Sequence, residues 1–125
     1  MEFKIDTKEA FTLITPLTNV IDANLTDALQ DKCEELGQSG SNNYIVILDN
    51  CTDIDNTSPA ALVAMHEVMY SNDSSLVFTG LQKDVLNKLK EDETDLLLNI
   101  TPSMQEAIDI VSMEILERDL FGEEE

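Results

Sequence analysis

The stretch YIVILDNCTDIDNTSPAALVAM, Tyr44 to Met65, decides the fold. Tyr44-Ile45-Val46-Ile47-Leu48 shows no polar alternation, which is the pattern of a strand buried on both faces of a sheet. Asp49 ends the run and a polar loop follows. Ser58-Pro59 then opens a helix. Serine is a favoured N-cap, and proline is tolerated at the first helical position because its missing N–H would be unpaired there anyway. Ala61, Leu62, Met65, Val68 and Met69 supply the apolar stripe. A buried strand feeding a helix through a short loop is an α/β unit, and such units place sites beyond the carboxyl ends of their strands. The stretch therefore asks whether Ser58 is a switch or only a helix cap.

Upstream, Phe3 to Ile5 and Phe11 to Ile14 are β-rich runs parted by a polar turn, which predicts an opening hairpin. Pro16 restricts the backbone, and Asp22 to Asn24 offers capping side chains. The spacing of Leu25, Ala28, Leu29, Cys33 and Leu36 predicts an amphipathic helix closed by Gly37. Downstream, Ser75 to Thr79 reads as a strand ended by Gly80. A helix is predicted from about Gln82 to Lys90, with Val85, Leu86 and Leu89 on one face. Leu96 to Ile100 fits either a helix end or a short edge strand. Ser103-Met-Gln-Glu106 is a capping box, and Met104, Ala107, Ile108, Val111 and Ile115 stripe a last helix. The order is β-β-α-β-α-β-α-(β)-α, so the strands after the hairpin are expected to be parallel, joined by right-handed crossovers. One α/β domain over residues 1–118 is expected, with an acidic tail over 119–125.

The chain has 125 residues with 26 acidic against 7 basic, a formal net charge of −19. Such a surface repels nucleic acid and anionic lipid, because neither releases counterions onto it. No apolar run approaches the length of about 20 residues that crosses a bilayer, so no membrane insertion is expected. A soluble cytoplasmic protein is the expectation. Cys33 and Cys51 lack the spacing of a zinc motif, and the single histidine, His66, is flanked by Met65 and Glu67 on a helix. The four glycines are scattered, with no phosphate loop, and no nucleophile elbow surrounds Ser58. No catalytic residue, metal or cofactor is expected. Asp49, Asp53 and Asp55 cluster after a strand, where an acidic turn is the simpler reading than a cation site.

Asp49 at a strand end invites comparison with a receiver domain. The early strands end in Asp6-Thr7 and Thr15-Pro16 rather than in an acidic pair, and SLVFTGL carries no lysine. A different family is closer. An apolar strand ending in Asp, a short loop, and Asp-Ser-Ser/Ala-Gly-Leu at a helix start is the pattern of the sulfate transporter and anti-sigma factor antagonist (STAS) domain. Thr57-Ser58-Pro59-Ala60-Ala61-Leu62 resembles that helix start, with Ser58 at the phosphorylated position. Thr57, Pro59 and Ala60 stand where the family has aspartate, a small residue and glycine. Leu17 to Ala23 resembles the family's Leu-x-Gly-x-Leu-Asp segment, with Asn19 for the glycine. SSLVFTGL with VLNKLK, and SMQEAIDIV, resemble its later elements. The likeness spans Phe3 to Leu116.

The resemblance implies a STAS-like mixed sheet of four to five strands with about four helices. It implies a non-enzymatic regulator resembling an anti-sigma factor antagonist, whose partner is an anti-sigma factor with serine kinase activity. It also implies a contact surface of Asn19, Asp53, Asp55, Asn56, Thr57, Ser58, Pro59 and exposed parts of helix 59–70, with Ser58 as phosphoacceptor, a role that supposes Ser58 exposed at the N-cap. Two rivals stand beside it. One is a STAS-like adaptor subunit of a larger complex, such as a lipid-transport or stress-signalling assembly, that works without phosphorylation. The other is a small-ligand or nucleotide binder. Whether Thr57 or Thr52 substitutes for Ser58 stays open at this point.

Overall fold

The computed structural model describes residues 2–123. The opening hairpin forms from β1 (Phe3–Thr7) and β2 (Thr12–Pro16), paired antiparallel. Next come β3 (Val20–Ile21), α1 (Ala23–Gln38), β4 (Asn43–Ile47), β5 (Asp53–Ile54) and α2 (Ser58–Ser71). The chain continues with β6 (Ser75–Thr79), α3 (Lys83–Glu91), a 3-10 turn over Thr94–Leu97, β7 (Ile100–Thr101) and α4 (Met104–Glu123). The main sheet has the order β1-β2-β4-β6-β7, and every pairing after the hairpin is parallel. This is the expected mixed five-stranded sheet with four helices. The segment left ambiguous, Leu96 to Ile100, divides between the 3-10 turn and the edge strand β7.

Alternation along β4 and β6 splits the core in two. Tyr44, Val46, Leu76 and Phe78 face α1, α2 and α3, meeting Leu25, Leu29, Leu62, Met65, Val85 and Leu89. Ile45 and Val77 face the other way, onto Ala107 and Val111 of α4. Burial on both faces is why the Tyr44–Leu48 run carries no polar alternation. Asp22 caps α1, its Oδ1 accepting the Leu25 N–H at 2.8 Å. Ser103 Oγ accepts the Glu106 N–H at 3.2 Å at the start of α4.

Three expectations are corrected. Gly37 lies inside α1, and the glycine with positive φ beyond the end of that helix is Gly40, at φ 101°. Val68 is 42% exposed, so the apolar stripe of α2 is narrower than the spacing suggests. The helix α4 runs on to Glu123, so residues 119–123 continue it rather than form a separate tail, and Glu124 and Glu125 lie outside the described residues.

Candidate functional site

A second, two-stranded parallel ladder builds the site, pairing Val20 with Asp53 and Ile21 with Ile54. Its strands are too short to announce themselves by periodicity. The loops leading into it are pinned to each other. Asn50 Nδ2 donates to the Pro16 carbonyl at 3.1 Å, Cys51 Sγ to the Thr18 carbonyl at 3.4 Å, and the Thr52 N–H to the Asn19 carbonyl at 2.8 Å. The Asp55 N–H extends the ladder by donating to the Ile21 carbonyl at 2.9 Å. Asn19, Asp53, Asp55, Asn56 and Thr57 thereby come together at one end of the molecule. The Asn19 backbone is not left-handed; its carbonyl serves as the anchor for Thr52.

Asp55 organises the start of α2. Its Oδ1 accepts from the backbone N–H of Thr57 (3.1 Å) and of Ser58 (2.9 Å). The same oxygen accepts from Thr57 Oγ1 (2.9 Å) and Ser58 Oγ (2.7 Å). A carboxylate here neutralises free N–H groups of the first turn and opposes the positive end of the helix dipole. The hydrogen bond from Ser58, joined by those from Thr57, holds the Asp55 carboxyl below the usual aspartate range. Asp53 is exposed and paired with Lys88 of α3, and that hydrogen bond lowers its pKa as well.

Ser58 is not the exposed cap that the sequence suggests. It is 0% exposed, and its Oγ, whose one proton is shared between two acceptors, lies 2.7 Å from Asp55 Oδ1 and 3.2 Å from the Ile21 carbonyl. Pro59 is buried too, so it offers no surface to a partner, whereas Ala60 is exposed. The physical reason is the cap itself. The Asp55 carboxylate holds Ser58 by its N–H and its Oγ, and that Oγ lies against the Ile21 carbonyl of β3. Thr57 is left outside with an accessible hydroxyl. The signal that could have found this was Asp55 itself, three residues before the helix.

Asp49 is exposed beyond β4, its carbonyl accepting from Gln82 Nε2 at 2.9 Å. Among the described residues, no three of His, Cys, Asp and Glu gather closely enough to hold a metal ion. His66 is half-buried and stacks on Tyr70 with ring centroids 4.4 Å apart, and burial lowers its pKa. A cleft of about 370 Å³ lies past the ends of β6 and β7, where Lys90 and Asp95 are its charged groups. No described helix is long and apolar enough to cross a membrane.

No protein-family model and no curated protein matches the chain by sequence. Solved structures do resemble it. A Thermotoga maritima protein assigned as an anti-sigma factor antagonist superposes with a TM-score of 0.75 at 16% identity, covering 88% of this chain and 94% of its own. An anti-sigma factor antagonist from Mycobacterium paratuberculosis gives 0.72 at 11% identity, over 89% and 93%. The anti-sigma factor antagonist SpoIIAA in its unphosphorylated form gives 0.66 at 12%, over 89% and 96%, and its phosphorylated form from Bacillus is similar as well. Overlap of this extent, together with the mixed five-stranded sheet and four helices, gives the chain the fold of the anti-sigma factor antagonists, that of a STAS domain.

Proposed function

We propose that the chain is a non-enzymatic regulatory module that acts as an anti-sigma factor antagonist in the cytoplasm. Its docking end is formed by Asn19, Asp53, Asp55, Asn56 and Thr57, and phosphate on a hydroxyl at the start of α2 is its switch. The observation that carries this reading is the pair of adjacent hydroxyls, Thr57 exposed and Ser58 enclosed, both tied to Asp55. The partner is an anti-sigma factor with serine kinase activity, which brings the ATP, so this chain needs no cofactor of its own.

Of the two hydroxyls, Thr57 accepts phosphate with the loss of its side-chain hydrogen bond to Asp55 but without opening the turn. Ser58 accepts it only after the turn over residues 55–58 opens. Phosphate adds close to two negative charges, which the helix N-terminus tolerates. A partner docking there would have to desolvate that dianion beside Asp55 and Asp53. A penalty of about 3 kcal/mol weakens an interface more than a hundredfold. Intact mass with peptide mapping on protein from its native cells, at rest and under stress, tests the switch. A phosphate on Thr57 or Ser58 that changes between conditions supports it, and its absence from both refutes it.

The burial of Ser58 also favours a second reading, an adaptor that docks through the same end without phosphorylation. Under that reading Thr57→Glu leaves capture of the native partner unchanged, whereas the switch reading requires its loss.

A further inference from the structure

The helix α4 covers its sheet face alone, and its outer side repeats with a 3-4-3-4 spacing: Glu106, Asp109, Met113, Leu116, Leu120. All five are exposed, the last three by 60%, 58% and 52%, and Glu117 flanks them, also exposed. Residues three and four apart lie on one side of a helix, so these form a continuous stripe on the side opposite the buried Ala107 and Val111. The stripe is acidic toward the helix start and apolar toward its end. From Glu106 to Leu120 it spans about 21 Å at the ordinary helical rise. Three large apolar side chains in a row on a solvent-facing helix mark a surface that something covers.

The charges select the occupant. A second copy laid parallel would set Glu106 and Asp109 against themselves. An antiparallel copy aligning Met113 with the other chain's Leu120 would place both Glu117 carboxylates beside the dyad. With a net charge of −19 on each chain, either arrangement adds repulsion at the contact. An anionic membrane is repelled for the same reason. We propose that the outer stripe of α4 docks a basic amphipathic helix. The partner's apolar residues cover Met113, Leu116 and Leu120, and its Lys or Arg side chains meet Glu106, Asp109 and Glu117. Opposite charges at one end and apolar contact at the other also fix the direction in which such a helix lies. This surface is separate from the start of α2, and the proposal stands whether or not that end is a switch.

The test uses the whole chain and a labelled synthetic peptide with leucines at the i, i+3, i+7 spacing and lysines flanking them, followed by fluorescence anisotropy. Two control peptides keep one half of the pattern each, one with glutamate for the lysines and one with serine for the leucines. The patterned peptide should bind at least tenfold more tightly than either control. Leu116→Ser with Leu120→Ser should weaken it about tenfold or more, as loss of central apolar contacts does. Leu96→Ser, a change at a still more exposed leucine on the 3-10 turn, should leave it unchanged. All are surface changes, and an unaltered melting curve confirms folding. Equal binding of the serine peptide, or no effect of the Leu116 and Leu120 changes, would reduce the attraction to bulk charge and overturn the proposal. A dimer seen by sedimentation that Leu116→Ser dissociates would assign the stripe to a second copy and overturn it too.

Discussion

Replacing Ser58 with glutamate separates the two hydroxyls at the start of α2 by their burial. Ser58 is fully enclosed, with its Oγ 2.7 Å from the Asp55 carboxylate and 3.2 Å from the Ile21 carbonyl. A glutamate there adds three heavy atoms where none fit, and overpacking costs about 1–3 kcal/mol. It also carries a carboxylate into a space whose nearest groups are both acceptors, and a buried polar group without a donor costs about 1–3 kcal/mol more. The sum is about 4 kcal/mol. At about 2.1 cal/mol/K of unfolding entropy per residue, a chain of 125 residues loses about 15 °C of Tm for that change. Thr57→Glu faces solvent but loses the hydrogen bond to Asp55, and should cost about 1 kcal/mol, or about 4 °C. Ser58→Ala should cost only about 1 kcal/mol. The Ile21 carbonyl keeps the Asp55 N–H, and the Asp55 Oδ1 keeps its bonds from Ser58 N and both Thr57 donors. Thermal melts followed by circular dichroism, with urea titration at fixed temperature, read all three variants. A Ser58→Glu protein melting within about 3 °C of the parent would refute the assignment of Ser58 to the interior and restore it as a directly accessible phosphoacceptor.

Three further outcomes are expected. Asp53 and Asp55 are both held below the ordinary aspartate value by hydrogen bonds formed only on folding. Their contribution to stability is therefore complete above about pH 3.9 and fades as pH falls through the lowered values. Melts between pH 7 and pH 3 should show the loss setting in below about pH 4, and Asp55→Asn should flatten it. Burial pushes the Cys33 thiol up to about 12, with Glu34 adding to it, and the Cys51 thiol up to about 11, with Asp49 adding. Neither should react with iodoacetamide at pH 8 in the folded protein, and both should react in urea; labelling read by mass under native conditions would contradict this. Tyr70 OH donates to Glu114 Oε1 at 2.7 Å and accepts from Asn99 Nδ2 at 2.6 Å, joining α2 to α4 past the sheet edge. Tyr70→Phe should cost about 1–2 kcal/mol by urea titration, and a neutral result would mean that water replaces the hydroxyl.

The order of the large elements was legible because each rests on local chemistry. The unbroken Tyr44–Leu48 run announces burial on both faces of β4, and the capping residues Asp22 and Ser103 stand at their helix starts. Periodicity alone also placed Cys33, Leu62 and Met65 inside. The ladder of β3 and β5 escaped this reading because two residues have no period. It exists only because the loops after β2 and β4 meet, an encounter between residues more than thirty positions apart. Ser58 was misplaced for the same reason. Serine before proline marks a helix start in any chain, but which side chain caps that start depends on where the loop carries Asp55. Sequence determined that this region would hold hydroxyls and carboxylates at a helix N-terminus. Tertiary structure decided which hydroxyl faces solvent, since burial depends on contacts between distant segments that local pattern cannot encode. The outer stripe of α4 divides in the same way: its 3-4-3-4 spacing is written in the chain, while its exposure follows from α4 packing by its other side on Ile45 and Val77.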